Sequence, residues 1–485
     1  MTQQLNHNET FVALSSPDNA FKCSTASSHR AMNERLEDWP CSVSHGDELL
    51  GTDEFDGGSQ PPLKLELPEW PAASSDEEIS RGRALLGTLS MDPTTFSRDD
   101  LCHLLSDIFE MAGLPLELQR NLGRVRRFIL AVRACMYDNP YHNWYHVVDV
   151  TQTLFVLSRR TGLLERLSDW QRFALLSAGL CHDLEHPGVT SIFLSKNGEK
   201  ISAAFKDGVL EKHHAIRTVE VMVDCNVGLL QGLTADAHRE FHSALSDCIL
   251  ATEFARHNEF CERLQEMIKS GQQIPIQMEM ELMIKSADIS NVLKPFPIAR
   301  RWALRVTDEF FGQGDLERVL NMDVTPICDR STQGRVATQK GFIDFVCAPF
   351  FRDMSKVRAV RCPKTVMPRT FPNICCHERK EASHPVSVRS QQFPHQVWPC
   401  LAEVEANMLA NRAEWAQYSD DVLEAHRDWS PEEETFSTAL LRSPDQRRRA
   451  GPELDALFQS ADNIRTVPMG LIRMLSRKWE GAENV

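Results

Sequence analysis

Residues 141–150 read YHNWYHVVDV, and residues 181–188 read CHDLEHPG. Each stretch holds two histidines four positions apart, and residues four apart lie one above the other on a helix. We therefore predict helices here, in which the paired histidines share a face: His142 with His146, and His182 with His186. The informative part of this pattern is its spacing.

The second stretch carries a carboxylate in an apolar setting. Apolar residues dominate positions 174–181, which predicts that His182 and Asp183 lie at the inner end of a buried helix. Unpaired charge in a protein interior is costly, and a divalent cation would satisfy imidazole and carboxylate together. This mixed ligand set suits zinc, iron or manganese, and an Asp beside a His can bridge to a second, harder ion. The pattern predicts a binuclear metal site.

A further Asp ligand is expected from a distant helix, and Asp288 in the stretch 285–291, KSADISN, is the candidate. An isolated Asp near a helix end is more often a cap or a surface residue, and a lone histidine pair is more often structural. Two histidine pairs, a His-Asp dipeptide and a later Asp occur together here, and this combination favours metal ligands over structural residues. The order H, HD, D resembles the HD-type metal phosphohydrolases.

Outward from these stretches the pattern stays helical. From about Thr95 to Trp415, apolar residues recur at helical spacing, as they do at Leu101, Leu104, Leu105, Ile108 and Phe109. No stretch shows several alternating strands separated by hairpin turns. We predict an all-α fold, with one compact multi-helix catalytic domain over residues 90–435.

The flanking segments differ in composition. Residues 1–75 are rich in Ser, Asn, Asp, Gly and Pro and are predicted to form a disordered acidic arm. Residues 357–394 lose the helical period and carry several prolines, which indicates an inserted loop or, alternatively, a gene-model artefact such as a translated intron. Residues 436–485 form a C-terminal tail.

Charge and hydropathy exclude some partners. The 485-residue chain has 53 Lys and Arg against 68 Asp and Glu, a net charge of -15, which disfavours nucleic acid and anionic membrane as main partners. Its apolar runs are too short for a membrane span, and residues 1–10 are polar rather than signal-like. We expect a cytosolic protein. The oligomeric state stays open, with a homodimer among the candidates.

Taken in order, the motifs resemble a narrower family. The two histidine stretches are followed by LEKHH at 210–214, AT at 251–252, ADISN at 287–291, DEFFGQGD at 308–315 and QKGFID at 339–344. This series is similar to the signatures of class I 3′,5′-cyclic nucleotide phosphodiesterases, members of the HD superfamily, over about residues 90–430. The resemblance implies a metal-dependent enzyme that hydrolyses cGMP, cAMP or both to nucleoside 5′-monophosphates.

The resemblance also implies a role for each matching residue. The tighter metal, usually zinc, would be held by His146, His182, Asp183 and Asp288. Asp183 would also reach a second ion, magnesium or manganese, held mostly through waters. His142 would donate a proton to the departing ribose oxygen.

Further residues would act around these groups. Hydrogen bonds to the ligands or to metal-bound waters are implied for His186, Glu211, His214 and Thr252, although a Thr hydroxyl bonded to its own helix is the ordinary alternative. Substrate contacts are implied for Asn291, Trp302, Val306, Phe310, Gln339 and Phe342. Gln339 would pair with the purine edge and Phe342 would stack on the ring, whereas the other four could equally be core residues.

Two other functions compete with this one. Residues 182–186 also satisfy the H-x-x-E-H pattern of zinc metallopeptidases, in which Glu185 would be the base. A catalytically silent module that binds cyclic nucleotide is the second alternative. The sequence does not decide between cAMP and cGMP, because the Gln339 amide can present either edge, but the first motif favours cGMP or dual use.

Overall fold

The structure is a computed structural model that describes residues 65–196, 210–224, 226–357 and 402–425. Most of the predicted acidic arm, the inserted segment beyond Val357 and the whole predicted tail lie outside these residues. The domain bounds therefore stay predictions.

Helices make up the regular structure of the described residues, as the sequence predicts. They are α1 Asp76–Leu85, α2 Arg98–Ala112, α3 Leu116–Gln119, α4 Leu122–Cys135, α5 Trp144–Arg160, α6 Asp169–Cys181, α7 Ser191–Lys196, α8 Leu210–Val223, α9 Ala235–Ala251, α10 His257–Ser270, α11 Ile276–Asp288, α12 Phe296–Val319, α13 Arg335–Phe342, α14 Ala348–Ser355, α15 Ala402–Trp415 and α16 Asp420–Ala425. Short 3₁₀ turns lie at Pro93–Thr95, Phe254–Arg256, Ser290–Leu293 and Pro326–Cys328, and a π-helical turn spans Ile343–Cys347. The all-α prediction is confirmed. Among the described residues, no helix is both long and apolar enough to cross a membrane.

Helix α5 is the centre of the fold. Nearly every residue from Trp144 to Ser158 is buried, because α2, α6 and α11 pack around it. A helix that is buried on all sides must satisfy its polar side chains internally. The functional side chains of α5 therefore lie inside the protein rather than on an open face.

The start of α5 corrects one prediction. The Asn143 side chain accepts hydrogen bonds from the backbone N–H groups of Tyr145 and His146, so it is the N-cap and the helix begins at Trp144. His142 lies in the preceding loop. It does not share a helical face with His146, because the capping residue stands between them.

The second histidine pair departs from the prediction in the same way. Helix α6 ends at Cys181, and His182 is its C-cap. The chain then turns through Glu185, whose φ is 61°, and Gly188, whose φ is 75°, both in the left-handed region that ends helices. His186 therefore lies in this turn and not one helical turn above His182.

The last residues of the predicted acidic arm pack against the domain. The Leu65 N–H donates to the Asp224 carboxylate (N···Oδ2 3.2 Å), and the Leu65 carbonyl accepts from Asn226 (2.8 Å). The Trp70 ring lies edge-on to His103, with 5.2 Å between centroids. Within the described residues, contacts with the domain thus include Leu65 and Trp70, whose apolar side chains are partly buried against the hydrophobic core.

A buried ion pair joins α5 to the loop after α11. The Lys294 ammonium lies 2.7 Å from the Asp149 carboxylate, and both side chains are almost completely buried. Asp149 follows the candidate ligand His146 by three residues, and Lys294 follows Asp288 by six. The pair therefore fixes the spacing between two segments that carry candidate metal ligands.

We expect Asp149→Ala to lower the free energy of unfolding by about 3–5 kcal/mol, because it leaves the Lys294 charge buried without a counter-ion. Replacing both partners, in Asp149→Val/Lys294→Met, should recover most of this loss. Urea denaturation followed by circular dichroism measures both. Asp236→Ala, which breaks the exposed pair with Arg239, is the control and should change little. Equal effects of Asp149→Ala and Asp236→Ala would contradict the assignment.

Candidate active site

Four side chains from three separate parts of the chain converge on one point. They are His146 in the first turn of α5, His182 and Asp183 at the end of α6, and Asp288 as the last residue of α11. One possible ligand atom from each lies within 4.8 Å of the other three. The structure thus brings together the four residues predicted to hold the tighter metal.

The geometry centres on two imidazole nitrogens. Nε2 of His182 lies 3.0 Å from Asp183 Oδ2 and 3.3 Å from Asp288 Oδ1. Nε2 of His146 lies 3.2 Å and 3.5 Å from the same two oxygens. Two nitrogens and two carboxylate oxygens around a shared point form a set of donors that suits a transition-metal cation.

The hydrogen bonds of the His146 and His182 rings leave nitrogen atoms free to bind a cation, rather than pairing every polar atom among the described residues. His182 Nδ1 lies 2.9 Å from the Gly179 carbonyl, which makes this nitrogen the donor and leaves a lone pair on Nε2. Within the described part of the chain, Nε2 of both His146 and His182 is buried without a hydrogen-bond partner. Buried polar atoms are rarely left unsatisfied. The residues present therefore fit a bound divalent cation.

Electrostatics at the cluster favour ionised carboxylates. Burial raises the pKa of Asp183, but the charges of His182 and His142 outweigh burial and hold that pKa well below its usual range. Burial raises the pKa of Asp288 too, but the close contacts with the His146 and His182 imidazoles outweigh burial and lower it. Both carboxylates are therefore available as ligands at neutral pH.

The Glu309 carboxylate holds His142 beside the cluster. Glu309 belongs to the motif at 308–315, but the motif alone gave it no predicted role. Glu309 on α12 accepts a hydrogen bond from His142 Nδ1 through Oε1, and its Oε2 accepts from the backbone N–H groups of Tyr141 (2.9 Å) and His142 (3.0 Å). Burial lowers the pKa of His142, but the charges of Glu309 and Asp183 raise it to about 9. A dication bound at Asp183 would offset part of that effect.

His186 lies against His142, and one ring nitrogen of each lies within 4.8 Å of an Asp183 carboxylate oxygen. The two rings stack with 3.8 Å between centroids, and His186 Nδ1 accepts from the Gly188 N–H at 3.0 Å. Burial and the neighbouring His142 charge hold the pKa of His186 well below its ordinary value, so its ring is neutral. The Asn139 amide donates to the carbonyls of both His142 (2.9 Å) and His186 (2.8 Å), which ties the two loops together.

The other residues predicted to support the ligands differ in their contacts. His214 lies 2.7 Å from the Leu184 carbonyl through Nδ1, and its Nε2 lies 3.8 Å from Asp183 Oδ1. Burial raises the pKa of Glu211 to about 8, with the Glu253 charge as a second cause. The Thr252 hydroxyl donates to the Ile249 carbonyl of its own helix at 2.7 Å, which is the ordinary alternative noted for this residue.

The residues predicted to contact substrate lie in three different settings. Trp302 has no exposed surface, and its ring packs edge-on against His146 (6.0 Å) and Tyr141 (5.7 Å). It therefore supports a candidate metal ligand and does not line an open pocket. The Asn291 amide donates to the Tyr141 hydroxyl at 2.6 Å. The remaining four residues are half-buried or buried on α12 and α13: Val306, Phe310, Gln339 and Phe342.

Glu185 argues against the metallopeptidase alternative. Its carboxylate forms a bidentate pair with the Arg217 guanidinium, with N···O distances of 2.9 Å and 3.1 Å. His213 also lies 3.3 Å from the same carboxylate. A peptidase of this type would need Glu185 beside the metal ligands as a general base, whereas here an arginine holds it.

The sequence model of the 3′5′-cyclic nucleotide phosphodiesterase family matches residues 141–365. This part of the chain belongs to the 3′5′-cyclic nucleotide phosphodiesterase family. The match includes His142, all four cluster residues and every residue for which a substrate contact was predicted. The family predicted from the motif series is therefore confirmed.

Relatives of this phosphodiesterase domain carry names of the same kind. The 3′,5′-cyclic-nucleotide phosphodiesterase regA of Dictyostelium discoideum is 35% identical over 297 residues, 60% of this chain and 37% of the relative. The mouse dual specificity calcium/calmodulin-dependent 3′,5′-cyclic nucleotide phosphodiesterase 1B is 32% identical over 283 residues, 58% of this chain and 51% of the relative. The chain thus spans about a third to a half of the length of these relatives.

A solved phosphodiesterase structure supports the same fold. The structure of LmjPDEB1 in complex with IBMX superposes with a TM-score of 0.57 at 28% sequence identity. The match covers 72% of this chain and 98% of that structure. Nearly the whole length of that solved chain therefore has a counterpart in this chain.

The four-residue cluster gives a direct prediction about metal content. Asp288→Ala should lose the bound cation, because it removes one of four ligands, whereas the matched neighbour His142→Ala should keep it. Inductively coupled plasma mass spectrometry of both purified variants measures the bound metal. Equal loss in the two variants would refute the division between ligand and non-ligand.

Proposed function

We propose that this chain is a metal-dependent phosphodiesterase that hydrolyses 3′,5′-cyclic nucleotides to nucleoside 5′-monophosphates. The observation that carries the proposal is the convergence of His146, His182, Asp183 and Asp288 beside His142, which Glu309 orients. Membership of the phosphodiesterase family supports the same reaction. The names of the relatives agree with it, although the chain spans only part of their length.

The proposed cofactors are two divalent ions. His146, His182, Asp183 and Asp288 would hold zinc, and Asp183 would also reach magnesium or manganese, which retains most of its waters. Such ions would neutralise phosphate charge and lower the pKa of a bound water. The buried, unpartnered Nε2 atoms of His146 and His182 within the described ranges support the zinc ligand set. Glu211 and His214 would hydrogen-bond the ligands or their waters.

His142 is the proposed general acid. In its protonated form it can donate a proton to the ribose O3′ as the phosphorus–oxygen bond breaks. Glu309 favours this form, since its carboxylate raises the His142 pKa and fixes the ring through Nδ1. Nε2 of His142 is then the atom that carries the transferable proton. The stack with neutral His186 keeps the ring in place.

Base recognition is proposed for Gln339 and Phe342 on α13, with Asn291 in the turn after α11. The Gln339 amide offers a donor and an acceptor to a purine edge, and the Phe342 ring offers a stacking surface. Tyr141 orients Asn291 through the 2.6 Å hydrogen bond. We favour cGMP or dual use, in keeping with the first motif and with the dual specificity named for the mouse relative. A cytosolic location and a homodimer stay predictions.

Parallel hydrolysis assays of cAMP and cGMP, with Mg²⁺ and Mn²⁺ titrated, test the proposal. We expect both metals to support formation of the nucleoside 5′-monophosphate and EDTA to abolish it. Cyclic nucleotide binding without any turnover would instead identify the silent binding module. Cleavage of casein without either nucleotide reaction would identify the peptidase.

The His142–Glu309 contact predicts a pH effect. A general acid must be protonated, so activity falls as the pH rises through the His142 pKa. Because the Glu309 charge raises that pKa, Glu309→Gln should move the alkaline limb of kcat/KM to lower pH by about one unit. Asp315→Asn, on the same helix but in a surface pair with Arg318, is the control and should keep the limb in place. An unshifted limb in Glu309→Gln would count against His142 as the acid.

A further inference from the structure

The stretch Asn411-Arg412-Ala413-Glu414-Trp415 lies on α15 and has no part in the metal cluster. It also lies beyond residue 365, where the family match ends. Its side chains nevertheless reach the segments proposed to recognise the base. We call residues 402–425, which comprise α15 and α16, the C-terminal clamp.

Asn411 holds the turn that carries Asn291. Its amide donates to the Val292 carbonyl and to the Lys294 carbonyl, each at 2.7 Å, and Asn411 is almost fully buried. One helical turn earlier, the Asn407 amide donates to the Leu293 carbonyl at 3.0 Å. Carbonyls in a 3₁₀ turn have few internal partners, so these two amides fix its conformation.

Arg412 holds the segment that follows Gln339 and Phe342. Its guanidinium forms a bidentate pair with Asp344, with both N···O distances 2.7 Å. Asp344 lies in the π-helical turn directly after α13, and π-helical turns are frequent at functional sites. The planar fork of Arg and two parallel hydrogen bonds fix orientation as well as distance.

Trp415 anchors the clamp to α12. Its ring is almost fully buried and lies 5.2 Å from Phe296, the first residue of α12, and Tyr418 lies at the same distance from Phe296. Aromatic contacts of this kind bury large areas and restrict orientation. The clamp is therefore attached to the helix that also carries Glu309.

Asp420 completes the attachment at the other end of α13. The N-cap of α13 is Gly334, which has no side chain with which to cap the helix. Asp420 Oδ1 instead accepts from the Val336 N–H at 2.8 Å. Val336 is the second residue of the helix, whose N–H an N-cap side chain would normally satisfy. A Cβ on Gly334 would stand 2.5 Å from Asp420 Oδ2, so the glycine leaves room for this remote cap.

We propose that the C-terminal clamp positions the base-recognition residues, and that Asp420 is a positioning residue for Gln339. Gln339 lies one turn after Val336 on an eight-residue helix, so its placement depends on how the start of that helix is held. The clamp contacts the segments on both sides of Gln339 and the turn of Asn291. The inference rests on the proposed function, because it assigns these residues to nucleotide recognition.

Kinetic parameters of four proteins test the proposal: the parent chain, Asp420→Ala, Asp421→Ala and Gly334→Ser/Asp420→Ala. Asp421 is the matched control, since it is the exposed acid beside Asp420 on the same helix. In the double variant the introduced serine hydroxyl is expected to cap α13 locally, because removal of the Asp420 carboxylate frees the space that the serine Cβ needs.

We expect Asp420→Ala to raise KM about fivefold and to shift the cAMP-to-cGMP ratio of kcat/KM by about threefold, while metal content stays that of the parent. Asp421→Ala should match the parent, and the double variant should restore KM to within about twofold. If Asp420→Ala does not fold, Gly334→Ala alone takes its place, because its Cβ would displace the Asp420 carboxylate without supplying a capping group and so raise KM in the same way.

Two results would contradict the positioning role of the C-terminal clamp while leaving the proposed function intact. One is a parent chain that turns over cyclic nucleotide while Asp420→Ala keeps the parent KM and the parent ratio. The other is a fall in kcat alone that the double variant does not restore, which indicates a merely structural role. A parent chain that hydrolyses neither nucleotide would instead contradict the proposed function itself.

Discussion

Asp183 and Asp288 approach the same two imidazole nitrogens in the interior of the protein, and this convergence is the constraint on which the rest of the structure depends. Two carboxylates cannot remain ionised in a low-dielectric interior without positive charge beside them. The two His Nε2 atoms compensate part of the carboxylate charge, and a divalent cation would compensate the rest. The surrounding helices keep these groups together against their mutual repulsion.

The scaffold shows how that arrangement is maintained. Helix α5 is buried on nearly all sides, and the buried Asp149–Lys294 pair links it to the segment after Asp288. A pair of this kind specifies register more than it adds stability, because its desolvation offsets its attraction. Asn139 then joins the two loops that carry His142 and His186. Each link fixes a distance between segments that are far apart in the sequence.

The sequence predicted the residue types of the candidate metal site, but it did not predict where the helices around them begin and end. The histidine spacing and Asp183 predicted a metal site, and the resemblance to the phosphodiesterase family implied that His146, His182, Asp183 and Asp288 are its ligands. The predicted helical faces shared by each histidine pair were wrong, because a four-residue spacing does not show whether a helix boundary, such as the Asn143 cap, lies between the two residues. Periodicity did not predict the role of Glu309, the ion pair of Lys294 or the burial of Trp302. All three depend on contacts between segments that are distant in the sequence, which periodicity does not encode. The base contacts of Gln339 and Phe342 stay predictions.

The central claim is that four side chains from three separate segments hold a divalent cation. Anomalous diffraction from crystals of the purified protein, recorded on both sides of the zinc absorption edge, tests it directly. The account predicts one strong anomalous peak enclosed by His146, His182, Asp183 and Asp288. A difference map without a peak there, from crystals of protein that hydrolyses cyclic nucleotide, would contradict it.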